Sequence, residues 1–163
     1  SVAHCAGYDR LRPACPATAR RPALSMILVD SNVWRQTENP GGNPVVQRWL
    51  SDNETQLALS AVVLAEMYFG VALMPDGKRK TDIAMWIDRL AQSFEDAIVP
   101  FDEKCAHAFG QLAADTKKSG RTVSTIDMQL AAQAQAHRMT IATRNVKDFS
   151  YTEVALINPW DTP

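Results

Sequence analysis

From Met26 onward the sequence predicts an α/β fold on a central parallel sheet, and three observations carry that prediction. Short apolar runs of strand length alternate with stretches of helical period, the order that generates βαβ units and parallel strands. Polar residues with helix-capping chemistry stand where runs change type: Asn43, Ser60, Asp102 and Ser124. The first run, "MILV" at 26–29, passes directly into Asp30, Ser31 and Asn32, so a strand with the character of a buried one ends on a carboxylate.

The elements follow in order. Residues 26–30 form the first strand. In "NPVVQRWL", Asn43 is the N-cap and Pro44 the first helical residue of a helix reaching about Ser51. "TQLALS" (55–60) is the second strand, and Ser60 caps an apolar helix through about Leu73. "PDG" (75–77) turns the chain. Ile83, Trp86, Ile87, Leu90 and Phe94 then recur at helical spacing over 78–94. "AIVPF" (97–101) is a third strand. Asp102 opens a helix that turns Cys105, Phe109, Leu112 and Ala113 inward and ends near Gly120. "STIDMQLAAQAQAH" (124–137) is helical, and "MTIAT" (139–143) and "EVALIN" (153–158) complete the sheet. Ligands of such sheets lie outside the carboxyl ends of the strands, the edge where Asp30 sits.

The 163 residues predict one domain with a full core. Residues 1–25, with three prolines, four arginines and no apolar period, are expected to be a disordered extension, and 26–163 to be the folded domain. Taking four arginines and Asp9 from the chain's 17 basic and 18 acidic residues leaves 13 and 17 in 26–163, a net of −4. A domain binding nucleic acid through bulk charge is basic. A phosphate ligand here must therefore be held by local groups or metal ions. Cys5, Cys15 and Cys105 form no C-x-x-C motif, which argues against a disulfide framework or a zinc site and places the chain in a reducing cytoplasm. His107 and His137 show no ligand spacing and are expected on helix surfaces. The apolar run 61–74 is too short for a membrane span and is interrupted by Glu66.

Several acids belong to the functional edge. Glu66 falls in the second turn after Ser60 among apolar neighbours, where an acid needs a partner. Asp127 stands three residues after Ser124, a capping-box spacing, and suits the helix dipole as well as a site. Thr143, Arg144, Asn145 and Asp148 follow the fourth strand, in positions that also suit a turn. Two carboxylates held at about 4 Å repel by about 4 kcal/mol at an effective dielectric near 20. Gathering Asp30, Glu66 and Asp127 from three corners, with Asp148 from a fourth, calls for a cation. Hard oxygen ligands select Mg²⁺ or Mn²⁺, and such ions assist in-line phosphoryl displacement.

"MILVDSNVW", "LSAVVLAEMYFGVAL", "STIDMQLAAQAQAH" and "IATRNVKDF" together resemble the PIN-domain family, with the nearest likeness to VapC-type toxins of the FitB-like branch. The resemblance covers about Met26 to Trp160. It implies a three-layer α/β/α sandwich and a metal-dependent endoribonuclease, the toxin of a type II toxin–antitoxin pair. It also implies a homodimer inhibited by a VapB-like antitoxin that sets an Arg against the acids. The family's first three acids fall on Asp30, Glu66 and Asp127, which become the metal ligands. Ser31 and Asn32 match the polar pair after the first acid, and Thr143 the orienting hydroxyl. The fourth acid falls on Asn145, which keeps an oxygen but loses the charge. Asp148, three residues on, is the candidate substitute.

Two competing functions have sequence-level tests. Aspartate-based phosphotransfer calls for D-x-D at the first strand, and the third position here is Asn32. A PIN-like module that binds RNA or an antitoxin without cleaving is motivated by Asn145.

Overall fold

The computed structural model describes residues 25–162, and the expectation of disorder for 1–25 lies, apart from Ser25, outside them. Five strands, β1 (Ile27–Val29), β2 (Leu57–Ser60), β3 (Ile98–Val99), β4 (Thr140–Ala142) and β5 (Leu156–Ile157), form one sheet in the order β3-β2-β1-β4-β5, every neighbouring pair parallel. The register sets Leu28 beside Ala58 on one side and Ile141 on the other. Consecutive strand residues point to opposite faces. Leu28, Val29, Leu57, Ala58, Leu59, Ile141 and Ala142 are all essentially inaccessible, so both faces are covered. That is the three-layer arrangement predicted, and continuous apolar runs are how it is written in sequence.

Helices α1 (Ser31–Trp34), α2 (Pro44–Asp52), α3 (Ala61–Ala72), α4 (Lys78–Ser93), α5 (Glu103–Lys118) and α6 (Thr125–His137) connect the strands. The expected caps are in place. Asn43 Oδ1 accepts from the Val45 and Val46 N–H, Ser60 Oγ from Val62 and Val63, and Asp102 Oδ1 from Cys105. Each satisfies donors that a helix start leaves free. Ahead of α2 the chain folds back so tightly that a side chain at Gly42 would meet the Gln36 carbonyl oxygen at 1.9 Å. The stripe on α4 buries Trp86, Ile87 and Leu90, and Trp86 Nε1 donates to Thr37 Oγ1 at 3.2 Å.

The structure departs from expectation in four places. Residues 31–34, where the sequence predicts no helix, are helical, because Asp30 caps them. The strands are shorter than their apolar runs: Glu54–Gln56 is a 3₁₀ turn, and only Ile98–Val99 of 97–101 and Leu156–Ile157 of 153–158 pair. On α5 the buried positions are Cys105, Ala108 and Thr116, with Phe109 half-buried against Phe101, ring centroids 6.2 Å apart. His107 is exposed as expected, whereas His137 is half-buried, its Nε2 3.2 Å from Asp102 Oδ2.

One buried side chain fixes how α6 crosses the sheet. Gln133 is fully inaccessible; its Oε1 accepts from Ser60 Oγ and its Nε2 donates to the Val99 carbonyl at 3.0 Å. A buried amide is tolerated because both ends are satisfied. It ties α6, and therefore Asp127 at the start of that helix, to the ends of β2 and β3.

Candidate active site

The strand order changes direction at β1: the chain runs outward through β2 and β3, then returns to the other side for β4 and β5. A crevice opens at such a switch point, at the carboxyl ends of the two central strands. Asp30 leaves β1 there and Thr143 leaves β4. The two are joined directly, Thr143 Oγ1 donating to Asp30 Oδ2 at 2.7 Å.

The Asp30 corner is fully organised. Its N–H donates to the Ala142 carbonyl at 2.9 Å, extending the β1–β4 ladder by one bond. Oδ1 accepts from the Ser31 N–H at 2.7 Å, and Oδ2 also accepts from Asn32 Nδ2 at 3.2 Å. Asn32 reaches across to the neighbouring loop, its Oδ1 accepting from the Arg144 N–H at 3.2 Å. Thr143 is fully buried and its hydroxyl accepts from the Asn145 N–H at 3.1 Å. Asp30 is only 6% exposed, and burial pushes its carboxyl above the ordinary value against the lowering effect of the Thr143, Ser31 and Asn32 donors. It is a carboxylate held in position at an electrostatic cost.

The other acids are held by their elements alone. Glu66 is half-buried on α3 and, among the described residues, forms no ion pair. Asp127 is half-buried at the first turn of α6, where its N–H donates to Ser124 Oγ at 3.2 Å. Its carboxyl is raised first by burial, and further by the charges of Asp30, Asp148 and Glu66. That pattern brings all four acids into one electrostatic neighbourhood. Their oxygens do not close as a group to within 4.8 Å of one another. Such an open arrangement fits an ion that keeps part of its water shell, as Mg²⁺ does. The donor set is oxygen throughout, so the residues present fit a hard divalent cation.

At the fourth corner, Asn145 opens a 3₁₀ turn over Val146–Phe149 without a side-chain capping bond, and both Asn145 and Asp148 are exposed. Phe149, fully buried, anchors the turn. Arg144 joins the site through its backbone; its guanidinium lies over the Trp160 ring at 5.2 Å.

A cleft beside Asp127 is lined by Arg121, Ser124, Lys147, Asp148 and Tyr151, of which Arg121, Lys147 and Tyr151 did not stand out in the sequence. Arg121 and Lys147 are exposed and, among the described residues, unpaired. The Tyr151 hydroxyl is buried without a hydrogen-bond partner, and burial together with the Asp127 charge pushes it up to about 12. A larger hollow is lined by Leu112, Asp115, Arg138, Tyr151 and Glu153, and by none of Asp30, Glu66, Asp127 and Asp148.

Comparison with known proteins gives the family. The chain is 37% identical over 140 residues to Toxin FitB of Neisseria gonorrhoeae, covering 83% of this chain and 99% of that protein. It is 32% identical to VapC ribonuclease Y4jK of Sinorhizobium fredii, again over 83% of this chain and 99% of the relative. The solved structure of FitAB bound to an IR36 DNA fragment superposes with a TM-score of 0.76 at 36% identity, covering 85% of this chain and 98% of the other. Residues 27–154 match the PIN domain, and with that span, these relatives and this acid-lined switch point, the chain belongs to the PIN-domain family.

Proposed function

We propose that this protein is a divalent-metal-dependent endoribonuclease, the toxin of a toxin–antitoxin pair acting in the cytoplasm. The reading is supported by the Asp30 carboxylate, held at the β1–β4 switch point by Thr143, and by Asp127, whose carboxyl is raised first by burial and further by the charges of Asp30, Asp148 and Glu66. The relatives named a toxin and a VapC ribonuclease support the substrate class. No helix among the described residues is long and apolar enough to cross a membrane.

Asp30, Glu66 and Asp127 would hold Mg²⁺ or Mn²⁺, with Asp148 standing in for the charge absent at Asn145. The bound ion supplies a lowered pKa for a water and neutralises charge that builds on the scissile phosphate. The protein's own residues do the rest. Thr143, Ser31 and Asn32 hold the Asp30 carboxylate in one orientation, so no reorganisation is required when charge develops. Arg121 and Lys147 offer cations to the RNA backbone beside the acids, which is how a net-acidic domain holds a polyanion.

Apolar side chains stand exposed on and beside α3 and α4. Met67 and Trp86 belong to the core, but Phe69, Leu73 and Met85 are 65%, 71% and 52% exposed. Exposed apolar groups of this size on adjoining helices mark a protein contact. They fit a homodimer. A VapB-like antitoxin presenting an Arg fits the acids, and the FitAB structure supports a toxin held in a complex.

The test is cleavage of RNA with Mg²⁺, leaving 3′-hydroxyl and 5′-phosphate ends. Asp30→Asn and excess EDTA each abolish it; full activity in either refutes the proposal. Binding of RNA without cleavage by the unaltered chain in Mg²⁺ or Mn²⁺ would favour the alternative, a PIN-like binding module weakened at Asn145.

A further inference from the structure

The start of α5 and the end of α6 bring together three ligand-type side chains that the nuclease site does not use. Asp102, Cys105 and His137 each offer one atom, and these atoms all lie within 4.8 Å of one another. The Asp102 carboxylate is fixed by capping α5: Oδ1 accepts from the Cys105 N–H at 3.0 Å, leaving Oδ2 directed elsewhere. Cys105 is fully buried, and its Sγ approaches the Pro100 carbonyl at 3.8 Å. His137 Nε2 lies 3.2 Å from Asp102 Oδ2 yet is a buried nitrogen without a hydrogen bond, because it is not aimed at that oxygen.

Two polar atoms that approach closely without aiming at each other have the geometry of atoms sharing a third. Around a tetrahedral zinc ion with bonds of about 2.0–2.1 Å, nitrogen and oxygen ligands stand about 3.3 Å apart. Asp102 Oδ2 and His137 Nε2 already have that spacing, and the sulfur, within 4.8 Å of the other ligand atoms, needs to close by about 1 Å at most to complete three ligands. A mixed sulfur, nitrogen and oxygen set selects zinc over the hard ions suited to the acids. His137 is ten residues beyond Asp127 on α6, about 15 Å along the helix, so the two sites are separate.

We propose that Asp102, Cys105 and His137 form a zinc site, with water in the fourth position, that clamps the start of α5 to the end of α6. Binding releases the thiol proton. The clamp steadies the helix that carries both Gln133 and Asp127. The proposal is independent of nuclease activity.

Cobalt(II) tests it, because only a thiolate ligand gives a sulfur-to-cobalt charge-transfer band. The full chain is used, with His4, Cys5 and Cys15 replaced by Ala or Ser so that the N-terminal segment contributes no ligand. The expected result is that band, saturating at one equivalent of thiolate-bound cobalt per chain, its displacement by zinc, and a melting temperature raised by zinc. Asp30→Asn keeps all three. Cys105→Ala abolishes the band, and His137→Gln, at a half-exposed position that tolerates replacement, weakens cobalt binding about tenfold or more. Absence of a band, or a band and zinc-dependent stabilisation unchanged in both variants, overturns the proposal.

Discussion

At the end of β1 the Asp30 carboxylate is buried and takes hydrogen bonds from Ser31, Asn32 and Thr143, whereas at the end of the neighbouring strand Asp148 is exposed, with no side-chain hydrogen bond among the described residues. The two corners touch, since Thr143 belongs to the β4 corner yet serves Asp30. The difference is one of preorganisation. The first corner is over-determined, its carboxylate fixed by donors from three residues. At the fourth, Phe149 fixes the backbone turn while the polar side chains remain free to adjust. A change at the first corner therefore removes geometry and charge together. A change at the fourth alters charge alone.

The largest expected effect comes from Asp30→Asn. RNA cleavage falls below detection, while the metal-free protein becomes more stable, because burial already disfavours the charge that is removed. A gain of about 1 kcal/mol raises the melting temperature of a chain this size by about 2–4 °C. A folded but less stable variant would show that the hydrogen bonds outweigh the burial penalty.

Thr143→Val comes next. It removes the donor to Asp30 Oδ2 and leaves the Asn145 N–H without its acceptor. On the proposed reading of Asp30 as a metal ligand, activity drops about 10- to 100-fold, and Thr143→Ser restores most of it. Equal activity in the Val variant would mean that Asp30 needs no orienting hydroxyl.

At the fourth corner, Asp148→Asn lowers the rate about tenfold and weakens the response to Mg²⁺. Asn145→Asp lowers the Mg²⁺ concentration needed for half-maximal rate without moving the melting temperature of the metal-free protein upward. If Asp148→Asn leaves the rate untouched, Asp148 is a surface acid and three carboxylates suffice.

The smallest effect is in the pH dependence of stability. Asp30 and Asp127 both have carboxyls raised above the ordinary 3.8 in the fold. The native state then holds more protons than the unfolded chain in the window above 3.8, so their contribution falls as pH rises through the folded values and stays low above them. The metal-free protein should melt higher in mildly acidic than in neutral buffer on account of these two groups. Mg²⁺ should narrow the gap, because it binds the ionised carboxylates and so stabilises the protein more at neutral pH. Melting curves at both pH values, with and without Mg²⁺, check this, and an unchanged gap in Asp30→Asn would remove Asp30 as its source.

Much of this molecule was written locally. Caps at Asn43, Ser60, Asp102 and Ser124 were legible because a short polar side chain binds the N–H groups two or three residues ahead, an interaction contained within one turn. The parallel sheet was legible because strands covered on both faces leave continuous apolar runs. Asp30 and Glu66 stood out as acids beside such runs, where their chemistry had no local explanation, whereas Asp127 also had one, its capping-box spacing from Ser124.

What the sequence determined by itself was therefore the order of elements, the class of sheet and the acids at its edge, all governed by contacts within about one helical turn or one strand. What only the tertiary structure decided was where elements far apart in sequence meet. Gln133 reads as one polar residue in an Ala/Gln helix until Ser60 and Val99 surround it. Tyr151, Arg121 and Lys147 gain meaning only from the cleft they share with Asp127. His137 had no ligand spacing because its neighbours, Asp102 and Cys105, lie on another helix. Strand lengths, too, were set by pairing: the β3 run is five residues long, but only Ile98 and Val99 find partners on β2. Side-chain chemistry is fixed residue by residue, whereas burial, pairing and the gathering of charge depend on which surfaces the packed sheet brings into contact.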